Sequence, residues 1–224
     1  MRLLFPLLLY CCSVLAAADL SQLRYLTEEY PPYSFSLGQG QVSGFTTDIL
    51  HLVWREMAVE PQPIEILPWA RGYYLLASRD NVVLFSTARI DARVPLFQWA
   101  CSLGTLELNL YAFKQMAPRL TRLDDAKRLV VVAVRDDVGE QLLLSHGFNP
   151  GLLVRTLKRQ GYEPDMMAPL LEVSHKPLCF AFSAGIPAQL VSDFQAVLNR
   201  VLSSEEGRRL RQKYFDEETL LSVP

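Results

Sequence analysis

Hydrophobic and polar positions along the chain follow two alternating periods. Leu23 to Leu26, Ile64 to Leu67 and the apolar run Val82 to Phe85 are short segments bounded by polar and turn residues, and they predict strands. Between the first two, Ile49, Leu52, Val53 and Met57 recur at helical spacing. They predict the buried stripe of a helix capped by Thr46 or Thr47 and running from Asp48 to Met57, with His51 off the stripe and facing solvent. Gly72 to Ser78 predicts a second helix. This strand–helix–strand–helix–strand order argues for a parallel α/β sheet. Pro31-Pro32 forces the chain out of the sheet, and Gly38 to Gly44 predicts a hairpin-like loop.

Farther along, Phe97 to Phe113 alternates irregularly and reads as extended chain, most strand-like over Asn109 to Phe113. Asp124 or Asp125 can start a helical turn. Leu129 to Val134 predicts a buried β run leading into a helix over Glu140 to Ser145, which His146-Gly147 stops. That second strand–loop–helix unit predicts the start of a second α/β body. Leu152 to Gln160 predicts a helix, Met166 to Pro169 a loop, and Leu178 to Phe182 a strand. Ala188 to Arg200 and Ser203 to Tyr214 have amphipathic helical spacing.

In an open α/β sheet, ligands sit beyond the carboxyl ends of the strands. The loops there carry Glu28 to Tyr33, Trp69 to Arg71, and Ser86 to Arg93, so aromatic and cationic groups converge on one edge. Directly after the Val82 strand come Ser86, Thr87, Arg89 and Arg93. Hydroxyls and guanidinium forks suit a carboxylate, because a planar fork meets two oxygens together. The same arginines could instead lie on a solvated turn and pair with Asp91, a contact worth little.

Charge and composition narrow the classes. The 224 residues are half hydrophobic, enough to bury a core as one large domain or two small ones, and a net charge of −2 leaves no basic footprint for nucleic acid. Arg2, the apolar stretch Leu3 to Leu15 and Ala16-Ala17-Ala18 form a secretory signal pattern, with cleavage expected after Ala18 and export to the periplasm. The stretch is too short to span a bilayer as a helix, and Tyr10 before Cys11 does not suit a lipoprotein signal. Cleavage removes one basic and no acidic residue, moving the charge from −2 to −3, and leaves only Cys101 and Cys179. An oxidising compartment permits them to pair, but two cysteines in a domain this size are expected to be separately buried apolar residues. No phosphate loop, Cys-x-x-Cys, His-Glu-x-x-His or Gly-x-Ser-x-Gly occurs, and His51, His146 and His175 lack metal-ligand spacing.

The order of several segments carries a resemblance. They are Glu29-Tyr-Pro-Pro-Tyr-Ser-Phe35, Gly44-Phe-Thr-Thr-Asp-Ile49, Leu67-Pro-Trp-Ala-Arg71, Ser86 to Arg93, Phe97-Gln-Trp99, Arg135 to Gly139, and Ser204 to Phe215. Over about residues 22 to 215 the chain resembles the periplasmic solute-binding proteins of ABC transporters, of the family 3 type that binds amino acids. The resemblance implies a two-lobed type II α/β fold with two crossover strands between lobes. Residues 19–110 and 184–224 would form one lobe and 111–183 the other. It implies aromatic ligand contacts at Tyr30 and Trp69, a carboxylate-gripping Arg93, and second-lobe contacts around Val138 and Gly139. Ile90 stands where the family usually has threonine, and Arg89 is a second candidate for the grip. After Gly147 to Gly151 the family usually continues with a helix and a strand bearing an acid that holds the ligand's amino group. No such segment follows here, which implies a shortened second lobe, with Glu28 or Glu29 substituting.

Three functions compete. A monomeric binding protein would capture an amino acid or similar small carboxylate and hand it to an ABC permease in the inner membrane. It would need no cofactor, metal or catalytic group, only an aromatic cleft with a few placed polar groups. A sensory or non-transporting relative would have impaired closure on ligand. An enzyme, since a few relatives act as dehydratases or lyases, would want a placed acid or base, for which Glu28 and Glu29 are the only obvious candidates.

Overall fold

The computed structural model describes residues 19–152 and 166–215. The signal segment 1–18 and most of the helix expected over Leu152 to Gln160 lie outside the described residues.

The first half follows the predicted alternation. Strand β1 (Arg24–Thr27) leads to a hairpin, β2 (Phe35–Gly38) and β3 (Gln41–Ser43), then to helix α1 (Phe45–Glu56), β4 (Ile64–Ile66), helix α2 (Trp69–Ser78) and β5 (Val82–Ala88). Two long strands, β6 (Gln98–Phe113) and β9 (Met167–Phe182), enclose a smaller unit of β7 (Val132–Ala133), α3 (Val138–Ser145) and β8 (Gly151–Leu152). Helices α4 (Ala188–Ser203) and α5 (Glu205–Phe215) close the described chain.

The main sheet has the order β4-β1-β5-β9-β6. Its first three strands are parallel, as predicted, but β9 runs antiparallel to both neighbours, so the sheet is mixed. All seven residues of β5 are buried. Alternation along the strands sorts side chains to two faces. Tyr25, Val83, Phe85, Phe180 and Phe182 meet α1 and α4 through Trp54 and Phe194, while Leu26, Val82, Leu84 and Ala181 meet α2 through Leu76. Fully burying one such side chain stabilises by about 1.5–3 kcal/mol, so this aromatic layer holds the frame rigid.

Helix α1 buries Ile49, Leu52 and Val53 as expected, together with Leu50 and Trp54, and leaves His51 exposed. Its cap differs from the prediction. Gly44, at φ 122°, occupies the cap position, and Thr46 and Thr47 lie buried within the first turn. A Cβ at Gly44 would come within 2.4 Å of the Tyr33 carbonyl oxygen, so no other residue fits there without a shift.

Long-range pairing overrides local pattern in the second half. The loop expected over Met166 to Pro169 is mostly the start of β9, because β6 offers a partner along its whole length, Phe113 opposite Met167 through Gln98 opposite Phe182. The buried run expected over Leu129 to Val134 shrinks to the two residues of β7. Val130 is 94% exposed, since β7 pairs only with the equally short β8 among the described residues. Cys101 and Cys179 face each other across β6 and β9, 4.2 Å apart at Cα, and form a disulfide rather than two separate apolar residues. Only the antiparallel register brings residues 78 positions apart into one cross-strand pair.

Candidate functional site

The sheet's loop edge is built around Arg93. Strand β5 ends at Ala88, and the turn that follows is closed by the Arg93 and Val94 N–H groups donating to the Ile90 carbonyl. This turn brings the Arg93 side chain back beneath the strand end, where it is 1% exposed. Pro68 ends the preceding extended segment, so α2 starts at Trp69, and four residues on, one helical turn away, lies Tyr73. The two rings stack at 5.8 Å, and the Arg93 guanidinium carbon lies 4.9 Å from the Trp69 ring centre and 5.0 Å from that of Tyr73. Such cation–π contacts are worth about 0.5–2 kcal/mol each, more when water is excluded.

The guanidinium donates through Nη1 to the Ala88 carbonyl at 3.3 Å and through Nη2 to the Asp136 carbonyl at 2.9 Å. Trp69 Nε1 donates to that same Asp136 oxygen at 2.8 Å. Asp136 belongs to the turn before α3, so one backbone oxygen of the smaller unit is gripped by two side chains of the larger. Its φ of 58° and its N–H bond to Glu140 Oε2 at 2.7 Å aim the carbonyl outward. Arg93 Nε has no partner among the described residues. A buried guanidinium with an unmet donor is costly, and burial accordingly pulls the Arg93 pKa down, with Tyr73 and Asp137 opposing.

Asp137 faces this group from the N-terminus of α3. Burial pushes its carboxyl up, and the N–H groups of Val138 and Gly139 and the Arg93 charge pull it back without cancelling the effect. Tyr30 stacks on Tyr33 at 5.3 Å, and burial raises its phenol strongly, reinforced by Tyr33, Glu28, Asp137 and Tyr111. Ser86, at φ 58°, donates to Thr46 Oγ1 at 3.1 Å and lies 3.4 Å from Ser34 Oγ, so three hydroxyls meet at the end of β5.

The structure thus brings Trp69 and Arg93 into direct contact and sets Tyr30 and Gly139 around Asp137. Thr87 points elsewhere: it is fully buried and its hydroxyl donates to the Leu84 carbonyl at 3.0 Å. Arg89 is exposed, and its backbone N–H donates to the Pro177 carbonyl at 2.9 Å. Neither arginine is ion-paired with Asp91 among the described residues. Sequence reasoning missed Tyr73, Asp136 and Asp137. For Tyr73 a signal existed, an aromatic four residues after Trp69 on a predicted helix.

No protein-family model and no curated protein matches the chain. Solved structures do. A histidine kinase sensor domain with similarity to periplasmic binding proteins superposes with a TM-score of 0.75 at 16% identity, covering 88% of this chain and 98% of its own. The arginine-, lysine-, histidine-binding protein ArtJ of Geobacillus stearothermophilus gives 0.71 at 14%, covering 90% and 100%. An ancestral amino-acid-binding protein described as a precursor of cyclohexadienyl dehydratase gives 0.68 at 19%, covering 88% and 96%. At these identities the likeness is one of fold, and the fold is the two-lobed α/β architecture of periplasmic binding proteins.

Proposed function

We propose that this protein is an exported, periplasmic solute-binding protein that captures an amino acid or similar small carboxylate between its lobes for uptake by an ABC permease. The observation that carries this reading is Arg93: a buried guanidinium stacked between Trp69 and Tyr73, with Nε unpaired and Nη2 resting on a backbone carbonyl of the opposite lobe. A carboxylate taking the Nε and Nη2 edge would replace one neutral acceptor by two charged ones, filling the empty donor and displacing the Asp136 carbonyl. Trp69 and Tyr73 hold the plane of the fork, while Tyr30 and the Ser86 hydroxyl cluster wall the cleft. This chemistry needs binding groups alone. Neighbouring solved structures described as amino-acid-binding proteins support the ligand class.

A second reading, a sensory or non-transporting relative, draws on the same contact. The Asp136 carbonyl ties the lobes together through this chain's own backbone, and one structural neighbour is a sensor domain. A thermal-shift screen of the mature protein against amino acids and small carboxylates separates the two, because a ligand raises stability by mass action. A stabilising carboxylate whose effect vanishes in Arg93→Ala supports capture. A protein that no member of the panel stabilises favours the second reading.

A further inference from the structure

The smaller unit contains a cavity that the Arg93 site does not use. It has a volume of about 580 Å³ and lies between the β6–β9 ribbon and the layer of β7 and α3. That size is within the ordinary range for small-molecule sites. Its walls are apolar: Leu108 and Leu110 project from the ribbon, and Leu120, Val131, Leu142 and Leu143 face them. Around it, Ala126, Ala133, Leu143 and Phe148 form a small core of their own, so the walls belong to packed structure. An apolar gap of this volume forfeits contact energy on both faces when nothing fills it.

The cavity also has a sign. Among the described residues that line it, Asp137 alone is charged, and none is a lysine, arginine or histidine. Asp137 sits with Gly139 at the end that meets the larger lobe, and a Cβ built on Gly139 would stand 3.9 Å from Asp137 Oδ2. The Arg93 N–H groups that are paired go to backbone carbonyls, and Asp137 forms no ion pair with any described residue. A cationic head entering with an apolar tail therefore meets the Asp137 carboxylate, whereas an anionic head meets no counter-charge among the described wall residues.

We propose that this cavity is a binding site for a small amphiphilic amine, its tail between the β6–β9 ribbon and α3 and its ammonium on Asp137. The site lies beyond the carboxylate grip at Arg93 and does not depend on it. The two are read separately, with amino acids for one and alkyl probes for the other.

The test is calorimetric titration at pH 7 with n-octylamine, n-octanol and octanoate, all below micellar concentration, on the mature protein and on its Arg93→Ala variant. The octanoate comparison is read in Arg93→Ala, where the carboxylate grip is gone. Octylamine is expected to bind at least tenfold more tightly than octanol, and octanoate more weakly than either. Asp137→Asn should bring octylamine down to the octanol level, Asp137→Glu should keep most of the preference, and Ala112→Trp, which fills the cavity from the ribbon, should weaken all three. Circular-dichroism melts establish that each variant is folded. Equal binding of amine and carboxylate, an Asp137→Asn variant that keeps the preference, or no binding of any probe to the folded parent would each overturn the proposal.

Discussion

The two lobes are built to different densities. In the larger one, Trp54, Phe85, Phe180, Phe182 and Phe194 are each at most 1% exposed on a five-stranded sheet: Phe194 meets Phe180 and Phe182 edge to face, Phe85 tilts against Phe180, and Trp54 meets Tyr25 edge-on. In the smaller one, the buried cluster among the described residues consists of Ala126, Ala133, Leu143 and Phe148, while Val130, Val132 and Leu144 stand open. The difference teaches where rigidity and adaptability lie. The dense lobe fixes Trp69, Tyr73 and Arg93 as a preformed stack, and the loose lobe presents a backbone carbonyl and a cavity. Among the described residues they are joined by the paired strands β6 and β9, the Cys101–Cys179 disulfide at their base, and the double hydrogen bond to Asp136.

Core truncation should sharpen this contrast most. Phe194→Ala, at the meeting point of Phe180 and Phe182, is expected to destabilise the protein by about 3–5 kcal/mol. Leu143→Ala in the smaller lobe should cost less than half of that, because its surroundings are already open. Urea denaturation of both variants checks the ratio, and equal losses would mean the lobes are equally well packed.

Next in size is the disulfide. Replacing Cys101 and Cys179 together by serine should cost about 2–4 kcal/mol, since the bridge closes a long loop containing the whole smaller lobe. Thermal melts of the oxidised parent against the double variant measure it. A change within error would place the stability of the crossover in the strand pairing alone.

The two arginines of the turn should then separate. Arg93→Ala should weaken a confirmed carboxylate ligand at least ~10-fold, in line with about 1.5–3 kcal/mol for a charge-assisted pair. Arg93→Lys should not restore it, because a point charge neither stacks between two rings nor forks. Arg89→Ala should stay within about twofold of the parent, a bound set by the small worth of exposed charges. Matching losses in Arg89→Ala and Arg93→Ala, measured by titration, would return both residues to one electrostatic surface.

The smallest expected effect concerns Asp137, whose carboxyl is pushed up by burial against the pull of Arg93 and of the Val138 and Gly139 N–H groups, with Glu140 adding to the rise. A raised acid favours the folded state below its unfolded pKa of about 4, and that contribution is lost as pH rises through the folded value. Asp137→Asn should therefore melt slightly higher than the parent at pH 7, with the gap closing below about pH 4. A variant less stable than the parent at pH 7 would show that the Arg93 attraction outweighs the burial.

The first half of the fold was legible in the residues because its signals are local. The period of Ile49, Leu52 and Val53 and the apolar run at Val82 name a helix and a strand whatever surrounds them, and the loop ends carrying Trp69 and Arg93 follow from that alternation. Tertiary structure decided what no local pattern encodes. A strand beginning at Met167 exists because β6 lies beside it, and Cys101 meets Cys179 because the register places them opposite. Arg89 and Arg93 have the same chemistry four residues apart, and only the turn through Ile90 and the waiting rings of Trp69 and Tyr73 bury one and expose the other. Asp136 contributes its backbone oxygen rather than its side chain, so its acidity gives no sign of that role. Periodicity reports which face of an element avoids water. Which buried group meets which depends on how separate elements pack, and that is settled only once the chain has folded.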